Sequence, residues 1–186
     1  MAKGAFAPNW ADLRNIHGLI GERKPKVVVE LGGGCSTVII AHAIEENLKE
    51  LGTAGRLYSF DGSEYWQKNL IDKFPDRLRG HVEFLLGREE AREMFGEQVR
   101  VCTNVETDAP TPNLLYVDGL DVVPNVPIGA EAIEIEKIAP DDFFLLVDGR
   151  APTVAFLKKH LSRDFEVFTH PLDSWTTFRP LPVGHA

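Results

Sequence analysis

Four carboxylates in this chain of 186 residues stand at the ends of short apolar runs: Glu30 in KVVVEL, Asp61 after RLYSF, Asp118 closing NLLYVD and Asp148 closing DFFLLVD. A carboxylate so placed can attract an amino group, accept from sugar hydroxyls, take a proton from a reacting group or, paired with a second, hold a hard divalent cation. Glu30 is followed at once by LGGGCST. A strand, a glycine-rich turn and a helix in that order put backbone N–H groups and a helix N-terminus at the carboxyl end of a sheet, where a nucleotide-like ligand binds. Gly32 and Gly34 match the first two glycines of G-x-G-x-x-G, but Thr37 occupies the third position and no Gly-Lys-Ser/Thr follows to grip a triphosphate. Glu30, two residues ahead of the first glycine, repels a pyrophosphate and attracts an amino group. Asp61 stands where ribose hydroxyls would lie. Asp118 and Asp148 should open into one crevice, where two carboxylates can ligate Mg²⁺ and orient a vicinal diol. Alternatively Asp118 acts as a general base or positions an acceptor hydroxyl, with Arg150 binding an anionic substrate. For Asp148, an Asp-Gly turn that merely suits a strand end is the bland alternative.

The elements that must position these groups alternate along the chain. Short apolar or β-branched runs predict strands at 26–31, 56–60, 81–86, 113–118 and 142–148. Helical spacing predicts helices at 9–21, with Asn9 as cap, at 36–52, with Ser36 able to cap and Gly52 to terminate, at 63–74, with Ser63 able to cap, and at 130–138 and 153–161. A helical piece is expected near 88–95, followed by a poorly patterned stretch to 112. DFEVFTH and SWTTFRPL close the chain as two strands joined by a turn at Pro171-Leu172-Asp173, too close for a crossover helix, so they should pair antiparallel. The expected fold is a single α/β domain over residues 1–186, Rossmann-like, with a mainly parallel seven-stranded sheet, helices on both faces and an antiparallel strand at the C-terminal end.

Composition narrows the function classes. Hydrophobic residues make up 44% and no apolar run approaches the roughly 18 residues of a membrane span, so a soluble protein is expected. The N-terminus has no secretory pattern, and Cys35 and Cys102 have no metal-ligand spacing; both fit a reducing cytoplasm. Twenty basic residues against 28 acidic ones give a net charge of −8 with scattered cations, which argues against nucleic-acid partners. No Asn/Asp-Pro-Pro-Tyr/Phe occurs, neither cysteine follows a proline, and the six histidines show no ligand-like spacing.

ELGGGCST resembles motif I of class I S-adenosylmethionine-dependent methyltransferases. Together with the preceding PxWxxLxxI helix and the following YSFDGSEYWQKNL, it is similar to the small O-methyltransferase-like branch of that family. The resemblance implies that Gly32, Gly33 and Gly34 let the cofactor approach the backbone, with Ser36 opening the helix behind them. It implies that Glu30 helps hold the methionine end, often through water, and that Asp61 takes the ribose. Gly62, Ser63 and Trp66 would line or support the adenosine pocket, core packing being the alternative for Trp66. Gly87 and Arg88 would offer backbone contacts near the adenine, although Arg88 stands where the family often carries an acidic or polar residue. Catechol-type metal-dependent relatives carry an Asn after the second aspartate; Gly149 stands there, so a divalent metal is not favoured. The implied activity is methyl transfer from S-adenosylmethionine to a small-molecule acceptor, with oxygen as the acceptor atom. The alternatives are a non-catalytic S-adenosylmethionine- or nucleotide-binding module and an NAD-dependent oxidoreductase, the latter disfavoured by Glu30 and Thr37 together. The stretch Val99–Pro112 and the run VVPNVPIG are candidates to border the acceptor site.

Overall fold

The computed structural model describes residues 8–52, 55–119, 124–170 and 175–181. In chain order the elements are α1 (Trp10–Arg23), β1 (Val27–Leu31), α2 (Cys35–Leu51), β2 (Arg56–Asp61), α3 (Glu64–Lys73), a 3₁₀ turn, and β3 (Val82–Leu86). Then follow β4 (Glu89–Met94), β5 (Glu97–Cys102), α4 (Val105–Asp108), β6 (Leu114–Val117), α5 (Ala132–Ile138), β7 (Phe144–Asp148), α6 (Ala151–His160), β8 (Phe165–Thr169) and β9 (Trp175–Pro180). Seven strands form one sheet in the order β3-β2-β1-β6-β7-β9-β8. Its pairs are parallel from β3 to β7, and β9 runs antiparallel to both neighbours, as the sequence predicts. Chain order reverses beside β1, with β2 on one side and β6 on the other, so the crevice of a doubly wound sheet opens at the carboxyl end of β1.

The strands read as continuous apolar runs because both faces are covered. On one face Ile16 and Ile20 of α1 and Ile40 and Ile44 of α2 pack on Val28, Leu57, Leu114 and Leu146. On the other, Ile133 and Ile135 of α5 and Phe156 and Leu157 of α6 pack on Val29, Leu31, Leu115 and Leu145. Each such fully buried aliphatic side chain stabilises the fold by roughly 1.5–3 kcal/mol relative to exposure. Alternation sends Glu30, Tyr116 and Asp148 toward the α1/α2 face, in step with Val28, Leu114 and Leu146. No helix among the described residues is long and apolar enough to cross a membrane.

Local signals explain most boundaries. Asn9 Oδ1 accepts from the Ala11 amide at 3.0 Å, and Gly52 ends α2 with φ 71°. Ser36 does not cap α2; Gly34 holds that position, and Ser36 lies inside the first turn with its hydroxyl committed elsewhere. The expected turn at Pro171-Leu172-Asp173 lies outside the described residues.

The helical piece expected near 88–95 is instead the first strand of a hairpin, β4 paired antiparallel with β5. Charged EEAREM suits a helix by propensity, but the turn after it decides otherwise. Phe95 and Gly96 both have positive φ, 54° and 78°, the requirement of a two-residue hairpin turn that matches strand twist. The alternation of Val99 and Val101, both buried, then anchors β5 in the core, while β4 stays largely exposed. Phe95 tolerates the left-handed conformation because its ring stacks on His160 at 4.1 Å, and Glu97 pairs with Lys159 at 2.6 Å. The run VVPNVPIG is similarly drawn into structure. Pro127 O accepts from the Arg100 amide and Ile128 exchanges two hydrogen bonds with the Thr153 hydroxyl; Val122 and Val123 lie outside the described residues.

The hairpin tip sets strain against stacking, and two substitutions separate them. Phe95→Ala loses the ring and keeps the cost of a left-handed non-glycine residue, whereas Phe95→Gly loses the ring alone. We expect the alanine variant to be about 1 kcal/mol less stable than the glycine variant in urea unfolding, the reverse of their order in an ordinary strand. Equal or inverted stabilities would show that the turn does not hold Phe95 at positive φ.

Candidate active site

The first group is built around Glu30. Its carboxylate, fully buried at the carboxyl end of β1, accepts from Ser36 Oγ at 2.6 Å on one oxygen. On the other it accepts from Thr37 Oγ1 at 2.6 Å and Ser59 Oγ at 2.7 Å. Ser36 and Thr37 come from the first turn of α2, and Ser59 sits opposite Glu30 on β2. Thr37 Oγ1 also accepts from the Gly34 amide at 2.9 Å, so the glycine turn is tied through one hydroxyl to the acid before it. Burial pushes Glu30 up to about 7; the three hydroxyls oppose that rise and the nearby charge of Asp118 adds to it.

The glycines of the turn have separate reasons. Gly32, at φ 102°, lies against Gly119, whose Cα is 2.1 Å from where a Gly32 Cβ would stand. Leu31 O accepts from both the Asp118 and Gly119 amides, at 3.0 and 2.7 Å, so this contact seals β1 to the loop after β6. Gly32 therefore admits backbone of the same chain. At Gly33 a Cβ would meet Ser59 Oγ at 3.2 Å and Asp61 Oδ2 at 3.7 Å, which places the turn beside the acid of β2. Around Gly34 nothing lies within 4 Å of that position, so it is the open side of the turn.

Asp61 orders the next corner. Its Oδ1 accepts from the Ser63 amide at 2.8 Å, and Ser63 Oγ in turn caps α3 by accepting from the Trp66 amide at 3.4 Å. Trp66 is partly buried, stands outside both hydrophobic clusters and meets Tyr65 edge-on at 5.0 Å. Gly62 is overlaid by the Glu89 carboxylate, 1.9 Å from a would-be Cβ, and Glu89 pairs with Arg100 at 3.1 Å. The Gly87 amide donates to Asp61 O at 2.9 Å, and the Arg88 amide donates to Asn104 Oδ1 at 2.8 Å. The Arg88 side chain is exposed, so the acid that faces this corner is Glu89, one residue further along.

Asp118 and Asp148, on the adjacent ends of β6 and β7, come together as a carboxyl pair close enough to shift one another. Burial raises both; the charge of Asp148 lifts Asp118 further, to about 6, against the opposing pull of Arg150 and the Tyr116 hydroxyl. Arg150 donates through both Nε, at 3.0 Å, and Nη2 to the main-chain carbonyl of Asp118. Burial pushes the Tyr116 phenol far up, reinforced by the charges of Asp118, Asp148 and Glu30, so it remains a neutral donor. Gly149, exposed at φ 57°, closes the turn and brings no side-chain ligand to the pair.

Sequence reading names the acids and the turn but misses Thr37, Ser59, Tyr116 and Glu89. Thr37 departs from the glycine motif, and the acid seven residues earlier, one helical turn and a strand end away, is what accounts for it. Ser59, a lone hydroxyl inside an apolar strand, carried a legible hint, because a buried polar side chain needs a partner. Tyr116 and Glu89 depend on strand register and on the hairpin, neither of which spacing supplies.

No protein-family model matches the chain, and no curated protein matches it. Solved structures do. The O-methyltransferase TomG from Streptomyces achromogenes, solved with S-adenosylmethionine, is 14% identical, with 94% of this chain and 81% of that one covered at a TM-score of 0.57. An O-methyltransferase from Bacillus cereus, in complex with S-adenosylhomocysteine, is 13% identical over 95% and 84% of the chains at 0.60. A precorrin-6y C5,15-methyltransferase from Geobacter metallireducens is 12% identical over 96% and 90% at 0.57. Identities this low establish architecture alone. Over nearly its whole length the chain has the Rossmann-like fold of the class I S-adenosylmethionine-dependent methyltransferases.

Proposed function

We propose that this protein transfers a methyl group from S-adenosylmethionine to a small-molecule acceptor, with oxygen as the acceptor atom. The observation that carries the reading is the row of groups along one sheet edge. A hydroxyl-caged acid and open glycine turn at β1 adjoin an acid at the end of β2 and, on the other side, a buried carboxyl pair at β6 and β7. Such a row suits a ligand with an amino-acid end, a sugar and a reactive centre between them and the pair. The bound sulfonium supplies an already activated methyl group, so the protein's task is alignment and removal of one proton.

Gly34 presents the open backbone of the turn to the methionine end, with Gly33 beside it against Ser59 and Asp61. Glu30 is sealed by three hydroxyls, so it acts as a positioning residue, holding Ser36 and Thr37 and the helix N-terminus in place. Asp61 accepts from the ribose hydroxyls, with Gly62, Ser63 and Trp66 behind it and Gly87, Arg88 and Glu89 bounding the base. Asp118, once ionised, takes the proton of the acceptor hydroxyl, and Asp148 shares the charge. Arg150 fixes the Asp118 backbone and supplies a positive charge beside the pair, a role a divalent cation would otherwise fill. The donor set lacks a third side-chain ligand at Gly149, which fits a metal-independent reaction. The net charge of −8 supports a small acceptor rather than a nucleic acid.

Calorimetric titration tests the cofactor assignment. S-adenosylmethionine and S-adenosylhomocysteine should bind saturably and NAD should not; Asp61→Asn should weaken binding roughly 10- to 100-fold by removing charge-assisted hydrogen bonds. Binding of NAD alone would make the protein a different kind of enzyme, and binding of none of the three would leave only its fold. If the two methionine ligands bind but a broad hydroxyl-acceptor screen yields no turnover, the protein is a binding module.

The acid pair gives the reaction a pH signature. A base must be ionised to act, so kcat/KM should fall as the pH drops through about 6, where Asp118 becomes protonated, and be flat above it. Asp118→Asn should lower kcat on the order of 10²- to 10⁴-fold and abolish that inflection. A full-rate Asp118→Asn enzyme with an unchanged profile would remove the base assignment.

A further inference from the structure

Away from the crevice, three side chains converge on the seam between α1 and α2. His17 projects from α1, and His42 and Glu46, one turn apart, share a face of α2. His17 Nε2 lies 3.1 Å from His42 Nδ1 and 3.1 Å from Glu46 Oε2, and His42 Nδ1 lies 4.0 Å from the same carboxylate oxygen. Tetrahedral Zn²⁺ with bonds of about 2.0 Å holds its donors about 3.3 Å apart; two of these edges are close to that already, and a small rotation of the exposed Glu46 side chain brings the third there. A hydrogen bond explains the cluster less well. His17 Nε2 has a single in-plane proton or lone pair, yet it faces two partners at the same distance. A cation on that one axis would serve all three donors.

We propose that His17, His42 and Glu46 form a binding site for a divalent transition-metal ion of the Zn²⁺ type. Two imidazoles and one carboxylate match the borderline character of that ion and not the all-oxygen preference of Mg²⁺ or Ca²⁺. The histidine side chains are each 34% exposed and Glu46 51%, so water reaches the remaining coordination position and an ion can enter from solvent. The site is separate from the Glu30 cage, because His42 lies about 10 Å along α2 from Cys35 at 1.5 Å per residue. Bound there, an ion clips α1 to the helix whose N-terminus forms the glycine turn. The proposal stands whether or not the protein transfers methyl groups.

The test uses the full chain after chelator treatment. Zn²⁺ titrated calorimetrically should bind at one equivalent and raise the Tm by several degrees, while Mg²⁺ does neither at the same concentration. His42→Asn and Glu46→Gln should each weaken Zn²⁺ binding at least tenfold and remove the Tm shift. Co²⁺ should give weak visible bands of a nitrogen–oxygen site that vanish in His17→Asn. Absence of saturable Zn²⁺ binding would overturn the proposal and leave a hydrogen-bonded His–His–Glu cluster. So would undiminished binding in all three variants, a thiolate charge-transfer band with Co²⁺ that points to Cys35, or loss of the ion on Asp118→Asn, which would place it in the crevice.

Discussion

A fully buried carboxylate inside a parallel sheet is costly unless its lone pairs are occupied, and the site edge of this protein is organised around occupying those of Glu30. Three hydroxyls do so, from the first turn of α2 and from β2, so one acid fixes the position of the helix start and the neighbouring strand together. Leaving any of these groups without its partner costs roughly 1–3 kcal/mol, more for a charge. The Gly34 amide, held through Thr37, makes the open turn part of the same network. Shape is therefore set where a ligand arrives before any ligand is there, and a preorganised site loses less on binding.

The sheet was legible because both of its faces are covered. Continuous β-branched runs of four to six residues separated by helical spacing leave few arrangements other than a parallel doubly wound sheet. The short link between the last two strands forced their antiparallel pairing for the same kind of reason. The hairpin at 89–102 was not legible, since β4 is almost wholly exposed and its charges carry the propensity of a helix. What decides it is a contact to α6, the stack of Phe95 on His160, and propensity has no term for a residue sixty-five positions away. The site divides similarly. Acids at strand ends were visible as residues, whereas Tyr116 beside Asp118 and Glu89 over Gly62 follow from register and from that same hairpin.

The two halves of the crevice use carboxylates in opposite ways. On the β2 side Asp61 is braced by a backbone amide, and helix α3 begins two residues beyond its neighbour Gly62. On the β6–β7 side burial and mutual repulsion favour the protonated form, with Arg150 and Tyr116 limiting the rise. The crevice thus sets an acid with an amide donor at hand on one side against a buried pair of acids on the other. The fold supplies the placement and the local burial supplies the chemistry, which is why a precorrin methyltransferase and O-methyltransferases can share the architecture.

Raised acids have a thermodynamic sign that follows from their burial. Glu30 at about 7 and Glu131, buried at the start of α5, at about 8 bind protons more tightly folded than unfolded, and Asp118 and Asp148 share that direction. Between the ordinary carboxylate range and those values the native state holds the extra protons, so raising the pH through that window removes stability. These four acids thus contribute most where they are protonated and lose that contribution as the pH rises through their raised values. Carboxylates placed only for stability would be salt-bridged with lowered pKa values and would give the opposite slope. The salt-bridged Glu45 and Glu97, held low by Lys49 and Lys159, carry that opposite slope, so the buried acids and the surface pairs pull stability in opposite directions as the pH changes.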